Sequence, residues 1–286
     1  MTGSPLRLAI ARISLRDRLS ALRFGRVAAA LILLLAAIAV VAPNLLAGSP
    51  ELIDPGTALR PPGGAHLFGT DWLGRDEYAR VVHGARASLL VGIGSTLLAT
   101  VAGTLWGLAS ALGGRVADQI GMRAADVLLA FPTILMALLV VAVLGPGTGN
   151  VVLAITVALT PGFARLVRVR THLVRQFAYV RAALDLGTAR WRVTMRHIVP
   201  NVLLPLSVLV VINIGTAIII GSSLSFLGLG PDTEVPEWGA MLSQSRNYLS
   251  AAWTLALFPG LAVTLTVMSI SVAGRALRER AEGVIE

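Results

Sequence analysis

Residues 179–201 read YVRAALDLGTARWRVTMRHIVPN, with Arg181, Arg190, Arg192 and Arg196 set between two long apolar runs. Residues 176–186 suit a short helix, and Gly187 offers the left-handed backbone that commonly closes one. Thr188 can cap a second helix, expected over 189–198 and ending before Pro200, whose ring disfavours helical geometry at Val199. Val180, Leu184, Gly187, Trp191, Met195 and Ile198 recur at steps of three and four, one stripe if the turn keeps helical phase. The four arginines lie off that stripe. The expected object is a helical hairpin at a membrane surface, oily on one side and basic on the other. Its arginines suit anionic lipid headgroups, whereas the small Ala182, Ala183 and Gly187 suit close approach by another protein.

The flanking sequence puts the hairpin in a membrane protein. Hydrophobic residues make up 55% of the 286 and charged ones 14%, against roughly 25% charged in soluble domains. A spanning helix needs about 20 apolar residues, and six segments qualify: 27–46, 88–112, 127–144, 151–167, 202–221 and 252–274. The first follows an Arg-rich start without a clear small-residue cleavage site, so it reads as an uncleaved anchor. The net charge of +9 comes entirely from arginine on the basic side, and the arginines flank apolar runs instead of forming a nucleic-acid groove. With the N-terminus inside, 19 of the 24 arginines fall on the cytoplasmic side, so both termini are expected there.

Several chemistries are excluded or disfavoured. Without lysine there is no ordinary Walker A site, and without cysteine no thiolate metal site, disulfide or cysteine nucleophile. His66, His83, His172 and His197 form no i, i+4 ligand pair, so no metal site is expected. No Ser/His/Asp or paired-carboxylate pattern stands out, and no catalytic residue is assigned. Ionisable groups are missing from the span centres, with only Arg165 near one end, which argues against an ion-gradient carrier. Thr156, Thr160 and Asn213 are the polar mid-span residues, suited to lining a pathway or to bonding helix to helix. Ala99, Gly103 and Gly107 form a small-residue seam whose partner, internal or external, stays open.

The order Ala182, Ala183, Gly187, Pro200 resembles the EAA signature of inner-membrane permease subunits of bacterial ATP-binding-cassette importers. The blocks LFGTDWLGRDEYARVVHGARASL (67–89), ADVLLAFPTIL (125–135), RHIVPNVLLPL (196–206), SLSFLGLG (223–230) and PEWGAML (236–242) are similar to the branch importing dipeptides, oligopeptides and nickel. Arg181 stands where the family usually has Glu, and Val199 where it has Leu.

The resemblance implies an all-α polytopic fold, a type I importer permease with six membrane helices. Residues 1–26 would be a cytoplasmic segment and 27–46 the first span. An external loop follows over 47–87, then a five-helix core over 88–274 including a coupling loop at 168–201, and a cytoplasmic tail over 275–286. It further implies a coupling helix within 176–199 that sits in a groove of a separate ATPase, with Arg181, Ala182, Ala183, Gly187, Trp191 and Pro200 at the contact. Implied partners are a homologous permease, the ATPase subunits, which would hold ATP and Mg, an external binding protein and membrane lipid; no cofactor is expected in this chain. The cargo would be peptides or similar small solutes, with a nickel complex as the alternative within the family. A secondary carrier or a non-transporting membrane scaffold are the rivals outside it.

Outside the coupling loop, Asp71, Arg75, Asp76, Glu237 and Trp238 are candidates for external docking or gating. Helix capping is the competing role: Thr70 or Asp71 can cap the helix entering the second span, and Asp76 with Arg80 has favourable acid-first spacing. Asp232 and Glu234 add acid to the same external region, and Trp238 suits an interface anchor.

Overall fold

The structure is a computed structural model and describes residues 25–230 and 235–282. Residues 1–24, Asp232, Glu234 and the last four positions, all part of the sequence expectations, lie outside the described residues. The elements are α1 (Gly25–Val41), α2 (Glu77–Leu112), α3 (Gly114–Leu129), α4 (Thr133–Leu144), α5 (Thr148–Arg175), α6 (Ala178–Asp185), α7 (Arg190–Val193), α8 (Val199–Phe226), α9 (Trp238–Ser245) and α10 (Thr254–Glu282). No strand is present among the described residues.

α2 shows why this is a membrane fold. Its buried face is made of small and hydroxylated residues, Gly92, Ser95, Thr96, Ala99, Gly103 and Gly107, while Leu90, Leu97, Val101 and Leu105 face outward. Water would penalise that inversion, but lipid does not, because hydrocarbon is as apolar as leucine. Two of the buried hydroxyls are satisfied within the helix: Ser95 donates to the Val91 carbonyl at 2.6 Å and Thr96 to that of Gly92 at 2.8 Å. The small-residue seam has an internal partner. A Cβ on Gly103 would fall 2.4 Å from Phe163 Cβ, and one on Gly107 2.5 Å from the Ala164 carbonyl oxygen, so α2 and α5 pack backbone to backbone. α5 is central, lying against α2, α3, α4 and α8. Ala154, Ile155, Phe163 and Val167 join Val141, Val202, Leu206 and Leu224 in the core.

The six-span expectation holds unevenly. α2, α5, α8 with its lead-in, and α10 are each long and apolar enough to cross a membrane. The first segment is shorter than expected, 25–41, because Ala42 precedes Pro43 and leaves helical geometry at φ −142°. The third, expected over 127–144, is not one helix: α3 and α4 meet at 91° across Phe131 and Pro132. Counting that bent pair as one span gives five among the described residues, with α1 as a shorter apolar helix.

The ends segregate. The start of α1 and the end of α10 are tied by the Arg26–Glu279 ion pair, and Arg175 at the end of α5 donates to the Ala111 carbonyl at 2.9 Å near the end of α2. These ends, α6 and α7 form the basic end of the bundle. The loop over 42–76, α9 and the Gly147 to Leu229 backbone contact form the opposite end.

Candidate functional site

The basic hairpin is built on a well-satisfied turn. Gly187 has φ +79°, its N–H donates to the Leu184 carbonyl at 3.0 Å, and the Thr188 N–H donates to that of Ala183 at 3.1 Å. Those are the two bonds of a Schellman closure. Three expectations change. Thr188 is not a side-chain cap; α7 starts after Ala189 without one. Pro200 does not stop the chain, because Thr194–Ile198 forms a π-turn, the Val199 N–H reaches the Thr194 carbonyl, and the helical path runs on through Phe226. The wider turn accommodates a residue with no N–H to offer Arg196. The turn also breaks phase: of the expected stripe, Val180 and Ile198 are buried, while Trp191 and Met195 are 65% and 61% exposed.

Thus the hairpin has two faces. Val180, Val193 and Ile198 pack into the core beside Val174 and Val202. Leu186, 86% exposed, projects with Trp191 and Met195. Around them Arg181, Arg190, Arg192 and Arg196 are exposed, as is Ala182, with Ala183 half-buried. The Arg192 guanidinium lies 5.5 Å from the Trp191 ring centroid. Leu186 escaped the sequence stripe because it flanks Gly187, where the chain reverses.

A second basic-end feature was not singled out from sequence. Arg168 of α5 donates from Nε and Nη2 to the two oxygens of Asp118 on α3 at 2.6 and 2.5 Å. The Arg168 hydrogen bond holds the Asp118 carboxyl below its ordinary value. The residues stand fifty apart, so only the fold reveals the pair.

At the opposite end, the docking or gating candidates form an interior network. Asp71 is fully buried, accepting from Arg75 Nε at 2.6 Å and from the Leu73 and Arg75 N–H groups, with Arg80 Nε 3.7 Å away. Arg80 also donates to Gln244 Oε1 at 3.3 Å. Asp76, rather than Thr70 or Asp71, caps α2 by accepting from the Ala79 N–H, and it faces His66 Nδ1 at 2.8 Å rather than Arg80. Glu237 caps α9, accepting from Gly239, Ala240 and the Ser88 hydroxyl, and Trp238 Nε1 donates to the Val81 carbonyl. Gly74, at φ +75°, lets this turn meet the strap before it: a Cβ there would fall 1.7 Å from the Asp54 carbonyl oxygen. Asp71, Arg75, Glu237 and Trp238 are buried and tie the 42–76 loop and α9 to α2.

Of the pathway candidates, Thr156 donates to the Val152 carbonyl and sits 3.3 Å from that of Ser95, a link from α5 to α2, and Thr160 donates to Thr156. Asn213 lines a cavity between α3, α4, α5 and α8. Among the described residues no group of three or more metal-ligating side chains is found.

Helices that turn leucine outward, around a basic hairpin continuous with two of them, define an integral membrane protein. The chain belongs to the family of binding-protein-dependent transport system inner membrane components, whose model matches residues 99–282. It is 42% identical over 243 residues to the dipeptide transport system permease protein of Alkalihalophilus pseudofirmus, covering 85% of this chain and 80% of that one. It is 44% identical to a glutathione transport system permease protein of Pectobacterium atrosepticum, over 76% of this chain and 72% of that one. A probable D,D-dipeptide permease protein of Escherichia coli is 39% identical over 88% of this chain and 84% of its own length. In fold it is similar to a chain of the MetNI methionine ABC transporter in an inward-facing form, with a TM-score of 0.58 at 17% identity, covering 70% of this chain and 95% of that one. It is a multi-pass inner membrane protein.

Proposed function

We propose that this chain is the permease subunit of a peptide importer driven by a separate ATPase, which grips it through residues 176–199. One feature carries the reading: Leu186, Trp191 and Met195 stand exposed among arginines on a hairpin continuous at both ends with membrane helices. The hairpin's other face is already packed into the bundle through Val180, Val193 and Ile198. Its exposed apolar residues therefore turn away from the membrane body, where a protein groove covers them better than lipid does.

The basic end then faces the cytoplasm, as the distribution of arginine favours, with both termini on that side. ATP and Mg bind in the partner, a second homologous permease completes the path, and an external binding protein supplies cargo at the opposite end. There the network of Asp71, Arg75, Asp76, Glu237 and Trp238 holds the loop that such a protein would meet. Peptide is the cargo favoured by the named relatives. ATPase closure displaces the hairpin and biases the helices between outward-open and inward-open arrangements.

The test is Trp191→Ala in the complex copurified with its ATPase. A central exposed tryptophan at an interface contributes about 2 kcal/mol, so affinity for the ATPase should fall roughly thirtyfold. Unchanged affinity and unchanged uptake of a labelled dipeptide would rule the site out.

A further inference from the structure

The third apolar run, expected as one helix over 127–144, breaks near its start. α4 has 12 residues, about 18 Å of rise, against a hydrocarbon core of about 30 Å. The chain turns at Phe131 and Pro132 inside a stretch with no charged side chain. Irregular backbone at membrane depth persists where protein covers it or where it lines a watery cavity.

Beside the break lies a cavity of about 250 Å³, lined by Leu129, Thr133, Gly162, Phe163, Leu209 and Asn213 among others. That is room for roughly eight waters at liquid density. Gly162 and Asn213 each stand at the midpoint of a 28-residue helix, so the cavity lies at half-height in the bundle. Two polar groups in the lining have no partner among the described residues. One is the Thr133 hydroxyl. The other is Asn213 Oδ1, whose own Nδ2 donates to the Leu209 carbonyl at 2.9 Å. Thr156 and Thr160, higher on α5, are instead closed onto carbonyls.

We propose that this cavity is the subunit's own solute-contact site, and that it recognises backbone amides. Asn213 Oδ1 accepts from a peptide N–H, and the Thr133 hydroxyl donates to the neighbouring carbonyl. The remaining lining is apolar and free of charge, so nothing in it selects one charged side chain over another. The site takes the feature all peptides share. This rests on the import reading above and adds to it where the cargo touches this chain and by which chemistry.

The chain has no cysteine, so single cysteines report directly on the cavity. Ala158→Cys and Leu209→Cys, which line the cavity beside the two proposed contacts, and a control on the outward face of α2, Val101→Cys, are placed in the complete copurified complex in proteoliposomes. A charged, membrane-impermeant methanethiosulfonate is applied from each side in turn. The reacting thiolate forms only where water reaches, so positions 158 and 209 should react at least about tenfold faster than 101. Excess dialanine should slow both, and a sugar of similar size should not. Reaction at 158 and 209 as slow as at 101 would mean that lipid or a partner helix fills the cavity dry, and would overturn the proposal. Fast reaction that dialanine leaves unslowed, in a complex that imports dialanine, would overturn it equally. Failure of the import reading shows separately, as no dialanine uptake by the cysteine-free complex, whereas the cavity assignment stands or falls on the labelling rates.

Discussion

Replacing Gly187 isolates the contribution of backbone conformation to coupling. The residue sits at φ +79°, and a Cβ there would meet no heavy atom within 4 Å. The cost of a side chain is therefore conformational rather than steric. Holding an L-residue in the left-handed region costs about 1–2 kcal/mol, less for asparagine, and more for a β-branched residue. Both Schellman bonds, to Leu184 and Ala183, depend on that geometry. A penalty of that size raises the population of opened hairpins roughly 5- to 30-fold. The assay is dipeptide uptake per ATP hydrolysed in proteoliposomes, alongside recovery of the assembled complex. Coupling should fall in the order Gly, Asn, Ala, Val with assembly nearly unchanged, since a Cβ at this position meets nothing within the chain. A valine variant with wild-type uptake per ATP would refute the reasoning. An asparagine variant worse than alanine would show that side-chain bulk against the partner, not backbone strain, governs the site.

Asp118→Asn should loosen α3 from α5 by about 1 kcal/mol, the pair being only partly buried, and the exchange Asp118→Arg with Arg168→Asp should recover part of it; thermal unfolding in detergent reads both. Because the folded Asp118 carboxyl titrates below its ordinary value of 3.8, its contribution is complete at higher pH and is lost only as pH falls through the lowered value. The same melts carried below pH 4 should thus show a loss in the parent that Asp118→Asn lacks. Gly103→Leu should abolish folded protein, since even its Cβ lands 2.4 Å from that of Phe163, and fluorescence-detected size exclusion reports it. Glu237→Ala should cost about 1–2 kcal/mol of α9 capping, seen as faster hydrogen exchange over 238–245 with the centre of α5 unchanged.

How much was legible depended on whether a signal was local. The apolar runs gave the positions of the long helices because lipid-facing leucine needs no partner to justify it. The Gly187 turn was equally legible, since positive φ selects glycine by itself. Prolines were not: Pro43 and Pro132 end helices, whereas Pro161, Pro205 and Pro259 lie inside them. The difference is tertiary. Pro161 is buried where α5 is pressed into the glycine seam of α2, with the Thr160 carbonyl 2.9 Å from where a Gly103 Cβ would be, so α5 has no room to bend. Pro132 is exposed, as are Phe131 and Thr133 on either side of it, so no packed neighbour confines the chain at the bend itself. At the outer end, spacing alone suggested Asp76 with Arg80. The equally spaced Asp71 and Arg75 formed the ion pair instead, because the loop turn also supplies Asp71 with two backbone N–H groups.

The hairpin reaches the half-height cavity along two walls of unequal stiffness. On one side α5 runs from Gly162 to Arg175 without a proline, braced against the glycine seam of α2 and tied to α3 by Arg168 and Asp118. α3 contributes Leu129 to the cavity, so that wall moves as a block. On the other side the path from α7 to Asn213 passes a π-turn at 194–198, Pro200 and Pro205, each removing or lengthening regular hydrogen bonds. Under the proposed coupling, a displacement of the hairpin should shift the α5 wall nearly rigidly while the α8 wall absorbs part of it, so that the two separate at the cavity that Gly162 and Asn213 both line. Uniformly stiff walls would carry the cavity along unchanged. Unequal ones convert movement at the surface into a change of cavity width.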